Sequence, residues 1–369
     1  MGILAMQYAS EPAASSGMSR EDAQAVNAAA ALRGVRMPFD GNALVSVIVP
    51  TRDRCELLAR AIRSVLTQTY ANLELLIVDD GSADGTVEMV SSIKDSRVRW
   101  MPNPRRGGAG YSRYRGAEAA RGDFIAFLDS DDWWLADKLR LQLAAAELEG
   151  PENLVMLCPP ACDDGLGVVP LEQPILRYGQ PIADYVYAGR QATVLSSGLL
   201  LDGRLGRRVR FDPGLRVNQD TDYLLRLERE GARFHCQPQP LYVLDTRRRT
   251  DRMSYDPSLC SESRRWYERM RHDWSRQAQR GYFLWDLSVR YASTGRRLQG
   301  FLYFLRGLSL EAGSYRVLRQ LLRVIGGGEV PTGLKLLRRQ WLRALPMPRR
   351  VPNRIDPILA EKPAAAPPS

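Results

Sequence analysis

Apolar positions along this chain fall into two alternating spacings. Val45–Val49 is a β-branched run ending at Pro50 and predicts a buried strand. Leu57, Leu58, Ala61, Ile62, Val65 and Leu66 then recur at helical spacing. Leu75–Val78 predicts a second strand, and Val87, Val90 and Ile93 a second helix with Asp84 as its N-cap. Arg97–Met101 predicts a short third strand, and a helix over Tyr111–Arg121 leads into a strand at Phe124–Leu128. A helix at Leu139–Leu148 and a strand at Leu154–Leu157 follow. Wholly apolar strands separated by helices predict an α/β fold with a mostly parallel sheet covered on both faces.

From Pro159 to Pro181 the pattern dissolves into Pro and Gly, which predicts a loop or small insertion. Periodicity returns at Thr193–Leu201 and in a helix over Asp220–Gly231. Beyond Ser263, FLWDLSVRYA, LQGFLYFLRGLSL, YRVLRQLLRVI and LKLLRRQWLRAL are successive amphipathic pieces. The expected organisation is a flexible leader over 1–43, an α/β domain over 44–262 and a basic helical extension over 263–345. A disordered Pro-rich tail over 346–369 completes it. The α/β domain divides into two halves, 44–150 and 151–262.

Charge changes this picture in one place. Residues 263–350 hold 19 Lys and Arg against 5 Asp and Glu, a local balance of +14, while the whole chain carries +10. Such a block fits an anionic membrane surface or nucleic acid. It lacks aromatic stacking motifs and zinc-finger spacing, which sets nucleic acid aside. A membrane-facing surface and a helix pair packed on the α/β domain both remain open. Five scattered cysteines and two distant histidines, His235 and His272, argue for a reducing setting and against a zinc enzyme or a Ser–His–Asp triad. No apolar run is long enough to span a bilayer, and no secretory signal is expected.

Candidate chemistry collects at the predicted strand ends. FIAFLDSDDWW, Phe124–Trp134, is an apolar run that stops on Asp129, Asp131 and Asp132. Open α/β sheets bind ligands at the carboxyl edge of their strands. Clustered carboxylates suit Mg²⁺ or Mn²⁺, although an Asp-rich turn capping the helix near Asp137 fits equally well. PTRDR, Pro50–Arg54, and VDDGSADGT, Val78–Thr86, end the first two strands. NPRRGGAGYSRYRG, Asn103–Gly116, offers backbone N–H groups and guanidinium groups suited to a diphosphate, or a plain surface loop. VNQDTDYLLRL, Val217–Leu227, puts Asp220 and Asp222 at a helix start, where N-capping accounts for one of them. No P-loop and no complete dinucleotide fingerprint occurs.

In this order, VSVIVPTRDR, LLIVDDGSADGT and GGAGYSRYRGAEAARGDFIAFLDSDDWW resemble the nucleotide-binding half of GT-A glycosyltransferases of family 2, over about Val45–Leu148. FDPGLRVNQDTDYLLRLEREG, Phe211–Gly231, resembles the acceptor-side segment. The resemblance implies a Rossmann-like GT-A fold and an inverting transfer from a nucleotide-diphosphate sugar, UDP-linked by expectation, to a saccharide or lipid-linked hydroxyl. By the same resemblance, Pro50, Arg52 and Asp53 line the nucleoside pocket and Asp80 accepts the uracil N–H. Arg113 reaches the base or pyrophosphate, Asp129 the ribose and metal, Asp131 ligates Mg²⁺ or Mn²⁺, and Asp220 is the catalytic base. Trp133, Trp134 and Gln219 are acceptor-side candidates, the two tryptophans being equally fitted to the core.

Gln219 stands where the family usually has Glu, Tyr114 replaces an Asn, and no late metal-site histidine occurs in Leu241–Ser254, where Asp245 or Asp251 could substitute. These departures leave a second reading, an inactive nucleotide-sugar-binding module. The resemblance implies cell-envelope polysaccharide assembly in the cytoplasm, or at the inner face of the cytoplasmic membrane.

Overall fold

A computed structural model describes residues 42–327, except 166, 172, 175, 189–191, 248–255 and 309–313. Most of the expected leader, the last basic piece (334–345), the Pro-rich tail and Asp251 therefore lie outside the described residues.

The strands expected from the apolar runs are present as β1 Val45–Thr51, β2 Leu73–Asp79, β3 Val98–Pro102, β4 Phe124–Phe127 and β6 Leu154–Leu157. A two-residue strand, β5 Trp133–Trp134, precedes β6. Alternation along each buried strand sends successive side chains to opposite sides of the sheet. Val47, Val49, Leu75, Ile77 and Ala126 enter one core. Ile48, Leu76, Val78, Ile125 and Phe127 enter the other. Burial on both faces explains why these segments read as continuous apolar runs. Helix α1, Cys55–Leu66, lays Leu58, Ala61, Ile62 and Val65 on the first of these cores.

The main sheet has seven strands in the order β10-β6-β9-β4-β1-β2-β3, where β9 is Leu200–Asp202 and β10 is Arg233–Cys236. It is parallel except at β9, which runs antiparallel to both β4 and β6. Ile48 O accepts the N–H of Leu128, so even-numbered residues of β1 bond toward β4. The β1–β4 ladder ends at the Ile48–Phe127 pair, so Pro50 sits in a central strand without leaving a ladder bond unmade.

The segment expected to be a loop or small insertion, Pro159–Pro181, contributes two short strands, β7 Pro160–Asp163 and β8 Val168–Pro170. They join β5 and β11, Tyr242–Asp245, in a second sheet of order β5-β11-β7-β8. Helices α2 Thr86–Ser91, α3 Gly108–Ala119, α4 Lys138–Glu149, α5 Ile182–Tyr187 and α6 Gly203–Arg208 complete the α/β region with α7, Gln219–Arg229.

The helical extension consists of α8 Ser258–Met270, α9 Arg276–Gly281, a π-helical segment Tyr282–Leu287, α10 Ser288–Ser293, α11 Arg297–Gly307 and α12 Ser314–Ile325. The expected boundary at 262–263 falls inside α8. Trp266 and Tyr282 share a core with Phe127 and Tyr223, so the beginning of the extension is packed against the main sheet. The π-helical turn leaves carbonyls loosely placed, and Gln320 Nε2 from α12 donates to Leu284 O at 2.7 Å and Trp285 O at 3.2 Å.

Candidate active site

Parallel topology brings the loops after β1, β2 and β4 to one edge of the sheet. The first two loops are braced by their own carboxylates. Asp53, in a left-handed conformation with φ +49°, accepts the Ala83 N–H at 2.7 Å and donates its own N–H to Ser82 Oγ. Asp79 accepts from the backbone N–H and the hydroxyl of Ser82. Asp84 accepts from the Thr86 and Cys55 N–H groups. It therefore serves the start of α2 from one residue before the cap position, which Gly85 occupies.

Asp80 does the same for the Gly–Arg loop. Its carboxylate accepts from Asn103 Nδ2 and Gly107 N at 2.8 Å and from Gly108 N at 2.9 Å. The loop needs its glycines: Gly108 has φ +79°, and a Cβ on Gly107 would lie 2.2 Å from the Tyr111 ring. Pro50 is buried at the end of β1, while Arg52 is exposed and pairs with the neighbouring Asp53.

A second group of carboxylates gathers deeper in the edge. Oxygens of Asp129, Asp131 and Asp132 all lie within 4.8 Å of one another. Arg113, almost fully buried on α3, donates to Asp129 Oδ1 at 2.5 Å and to Gln219 Oε1 at 2.9 Å. Burial works against its charge, but Asp129 and Asp220 outweigh that and hold the guanidinium above its ordinary pKa. Arg113 is thus packed among protein groups, with its guanidinium over the Phe211 ring, 5.4 Å from the ring centre. Asp131 pairs with Arg54 at 3.0 Å. Asp132 lies in the same cluster. Burial, then the charges of Asp129 and Asp131, pushes its carboxyl well above the ordinary value, although Ser197 Oγ and the Asp245 N–H bond to it.

The antiparallel strand β9 explains how Ser196 and Ser197 arrive here. Because β9 runs against β4, the residues before it meet the residues after β4. Ser196 Oγ donates to Asp129 Oδ1 at 3.2 Å, and Ser197 Oγ to Asp132 Oδ2 at 2.7 Å. Both serines fall in the periodic stretch Thr193–Leu201, but no motif marked them as site residues, because their carboxylate partners lie 67 and 65 residues earlier in the chain. Sequence reasoning also missed Arg54, the last residue of PTRDR, and Arg60 on α1. Arg60 donates to Asp131 O at 2.6 Å and to Asp245 Oδ2 at 3.0 Å.

The two aspartates of α7 separate cleanly. Asp222 accepts from Trp266 Nε1 at 2.8 Å and from Arg226 Nε at 2.6 Å, which ties α7 to α8. Asp220 has its Oδ1 shut from solvent with no hydrogen-bond partner among the described residues. Burial raises its pKa to about 6; Arg113 pulls it down, Asp129 pushes it up and Ser196 lowers it again. Neither aspartate caps the helix: the cap position is Asn218, at φ +62°. Gln219 uses both ends of its amide, accepting from Arg113 and donating Nε2 to Leu215 O. A glutamate would accept the first bond and could not donate the second.

Two further candidates are committed elsewhere. Asp245 is buried between Arg60 and Arg247, whose hydrogen bonds outweigh burial and hold its carboxyl well below the ordinary range. Its carboxylate accepts from Arg60 and Arg247, and its N–H donates to Asp132 Oδ1. Trp134 is 2% exposed, its indole N–H bonds to Ser197 O, and Lys138 lies over its ring. Of the two roles weighed for it, the core is the one it occupies. Trp133 is buried too, with Arg60 stacked 4.0 Å from its ring centre.

Residues 46–195 match the sequence model of Glycosyl transferase family 2. The chain is 31% identical over 274 residues to the amylovoran biosynthesis glycosyltransferase AmsB of Erwinia amylovora, covering 71% of this chain and 89% of that one. It is 46% identical over 101 residues to the Escherichia coli UDP-Glc:alpha-D-GlcNAc-diphosphoundecaprenol beta-1,3-glucosyltransferase WfgD. That match takes in 27% of this chain and 40% of the relative. Among solved structures, residues 1–349 of S. aureus TarS in complex with UDP-GlcNAc align with a TM-score of 0.50 at 19% identity, over 79% of this chain and 83% of that one. A mannosyltransferase of Pyrobaculum calidifontis, PcManGT, in complex with GDP-Man and Mn²⁺, aligns with a TM-score of 0.50 at 15% identity, over 87% and 91%. At these identities the structural likeness is one of fold.

Proposed function

This chain belongs to glycosyl transferase family 2 and is a glycosyltransferase, and from that premise we propose an inverting, metal-dependent transfer from a UDP-sugar to a hydroxyl of a saccharide or lipid-linked acceptor. The observation that carries the reading is Asp220: a buried carboxyl oxygen without a partner among the described residues, a pKa raised to about 6, and Arg113 and Asp129 beside it. A sugar hydroxyl is a poor nucleophile at neutral pH. A carboxylate that is ionised at pH 7 but has a raised proton affinity is suited to take its proton as the bond forms.

Asp129, Asp131 and Asp132 form an oxygen-only donor set, and their crowding is what a divalent cation relieves. Asp131 and Asp129 would hold Mg²⁺ or Mn²⁺, which when bound supplies positive charge to the leaving diphosphate. Arg113 keeps Asp129 and Gln219 in place around Asp220, while Ser196 and Ser197 orient Asp129 and Asp132. Asp80 fixes the Gly–Arg loop, in which the exposed Arg105 lies over the Tyr111 ring and the exposed Arg106 donates to Gly81 O. Pro50, Arg52 and Asp53 remain the proposed nucleoside-side residues, Asp53 acting through the loop it braces.

The UDP assignment is supported by the name of the 46%-identical relative, which specifies a UDP-Glc donor and a diphosphoundecaprenol-linked acceptor. The diphosphoundecaprenol in the same name supports work on a lipid-linked saccharide. Against the inactive-module reading stands Gln219, whose amide makes two bonds that suit this chain.

A panel of UDP-, GDP- and dTDP-sugars with product analysis tests the proposal. Transfer from a UDP-sugar with inverted anomeric configuration, lost on chelation and restored by Mn²⁺ or Mg²⁺, is the expected result. Nucleotide-sugar binding with neither transfer nor hydrolysis across the panel would leave the inactive module standing.

A further inference from the structure

We infer that the helical extension carries a membrane-docking surface, in which an arginine-lined cavity takes the phosphates of anionic lipid headgroups beside a stripe of leucines that enters the bilayer. The inference shares with the functional reading only the idea of a membrane-borne acceptor; docking itself needs neither donor nor acceptor.

The cavity has a volume of about 370 Å³ and opens among α8, the turn after it, α9, the π-helical segment and α11. Arg271, Arg276, Arg280 and Arg306 line it with Tyr267 and Phe283. Glu268, on the same wall, pairs with Arg271 at 2.7 Å. Arg276, Arg280 and Arg306 have no carboxylate partner among the described residues, and Arg306 rests on the Phe283 ring at 4.3 Å. Three unneutralised guanidinium groups around one hollow repel each other unless an anion joins them, and guanidinium geometry matches phosphate.

The stripe lies on the helix that supplies Arg306. Leu298, Phe301, Leu302 and Leu305 are between 37% and 74% exposed, at positions i, i+3, i+4 and i+7 of α11. The helix cannot roll to bury them. Its inner face is Gly300, Phe304 and Gly307, and a Cβ on Gly307 would lie 2.4 Å from Leu284 N. Contiguous exposed apolar side chains of this kind mark an interaction surface. Arg306 stands one turn from Leu302, so cavity and stripe adjoin.

The occupant follows from charge and shape together. A soluble phosphate would use the arginines and leave the leucines without a role. The block 263–350 has a balance of +14, complementary to an anionic surface. No described helix is long and apolar enough to cross a membrane, and α11 lying in the interface with arginines at headgroup level accommodates both features.

Co-sedimentation of the full chain with vesicles tests this. The chain should bind vesicles of phosphatidylcholine containing phosphatidylglycerol and bind phosphatidylcholine alone at least roughly tenfold more weakly. The triple variant Arg276→Gln/Arg280→Gln/Arg306→Gln should lose on the order of a hundredfold in partitioning to the anionic vesicles. Leu302→Glu/Leu305→Glu should lose binding as well, with an unchanged melting temperature, because the replaced side chains are exposed. Equal binding by all variants would overturn the proposal. So would displacement by inorganic phosphate at an ionic strength where chloride has no effect, which would make the cavity a soluble-phosphate site. A dimer that becomes a monomer in Leu302→Glu/Leu305→Glu, with vesicles unbound, would assign the stripe to a second copy. Vesicle binding by a chain that transfers no sugar would keep the docking surface and sink the transferase reading; transfer without vesicle binding would do the reverse.

Discussion

The aspartates in the loops after β1 and β2 and those gathered between β4 and α7 meet their hydrogen-bonding needs in opposite ways. Asp53, Asp79, Asp80 and Asp84 spend their oxygens on N–H groups and hydroxyls of nearby loops. They fix chain geometry at the rim. Asp129, Asp131, Asp132 and Asp220 face one another or an arginine, and the pKa values of Asp132 and Asp220 rise. The first group is satisfied by the fold. The second is held in an arrangement that a cation, a diphosphate or a transferred proton would complete. A carboxylate that spends its oxygens on donors of neighbouring loops braces the chain; one crowded by like charge is a candidate for chemistry.

Four substitutions probe this contrast. The largest effect is expected for Asp220→Asn, which should lower turnover by about 10²–10⁴-fold while donor binding persists, as steady-state kinetics and calorimetry would show. Near-normal turnover would move Asp220 into the scaffold group. Asp131→Ala should weaken Mn²⁺-dependent UDP-sugar binding by roughly 10–100-fold in calorimetry, and an unchanged affinity would remove Asp131 from the metal site. Asp80→Ala should act first on stability. It leaves the N–H groups of Gly107 and Gly108 and the Asn103 amide without their acceptor, at a cost of about 1–3 kcal/mol in denaturant unfolding. Asp222→Ala should cost a similar or smaller amount by orphaning the Trp266 indole N–H, with turnover within a few-fold of normal. A large fall in turnover at unchanged stability would place Asp222 with Asp220.

The same contrast explains what the sequence could convey. β1, β2 and β4 were legible because strands buried on both faces are apolar without interruption. Their order in the chain placed PTRDR, VDDGS and LDSDD on one edge. β7 and β8 were not legible: they are short, begin or end in proline, and sit where Gly and Pro spacing predicts a loop. Thr193–Leu201 was read as periodic, but not that β9 runs antiparallel, and so not that Ser196 and Ser197 meet the residues after β4.

At the site, Asp129, Asp131, Arg113, Gln219 and Asp220 were named from motif position, and the fold joins Arg113 to Asp129 and Gln219. What each carboxylate bonds to depends on residues far along the chain. That is why the bonds from the Gly–Arg loop to Asp80, and the gathering of Asp132 with Asp129 and Asp131, could not be read from local spacing. Asp245 and Trp134 looked available only because their partners, Arg60, Arg247 and Lys138, cannot be read from local spacing.

The central claim is that Asp220 is the base and Asp222 is not, and the pH dependence of kcat/KM tests it most directly. Asp220 must be ionised to accept a proton, and its pKa is raised to about 6. In the wild-type chain, kcat/KM should therefore be level above pH 7 and fall toward tenfold per pH unit well below 6. Asp222→Ala should keep that acid limb, and the residual activity of Asp220→Asn should lack it. An acid limb that survives unchanged in Asp220→Asn would contradict the account.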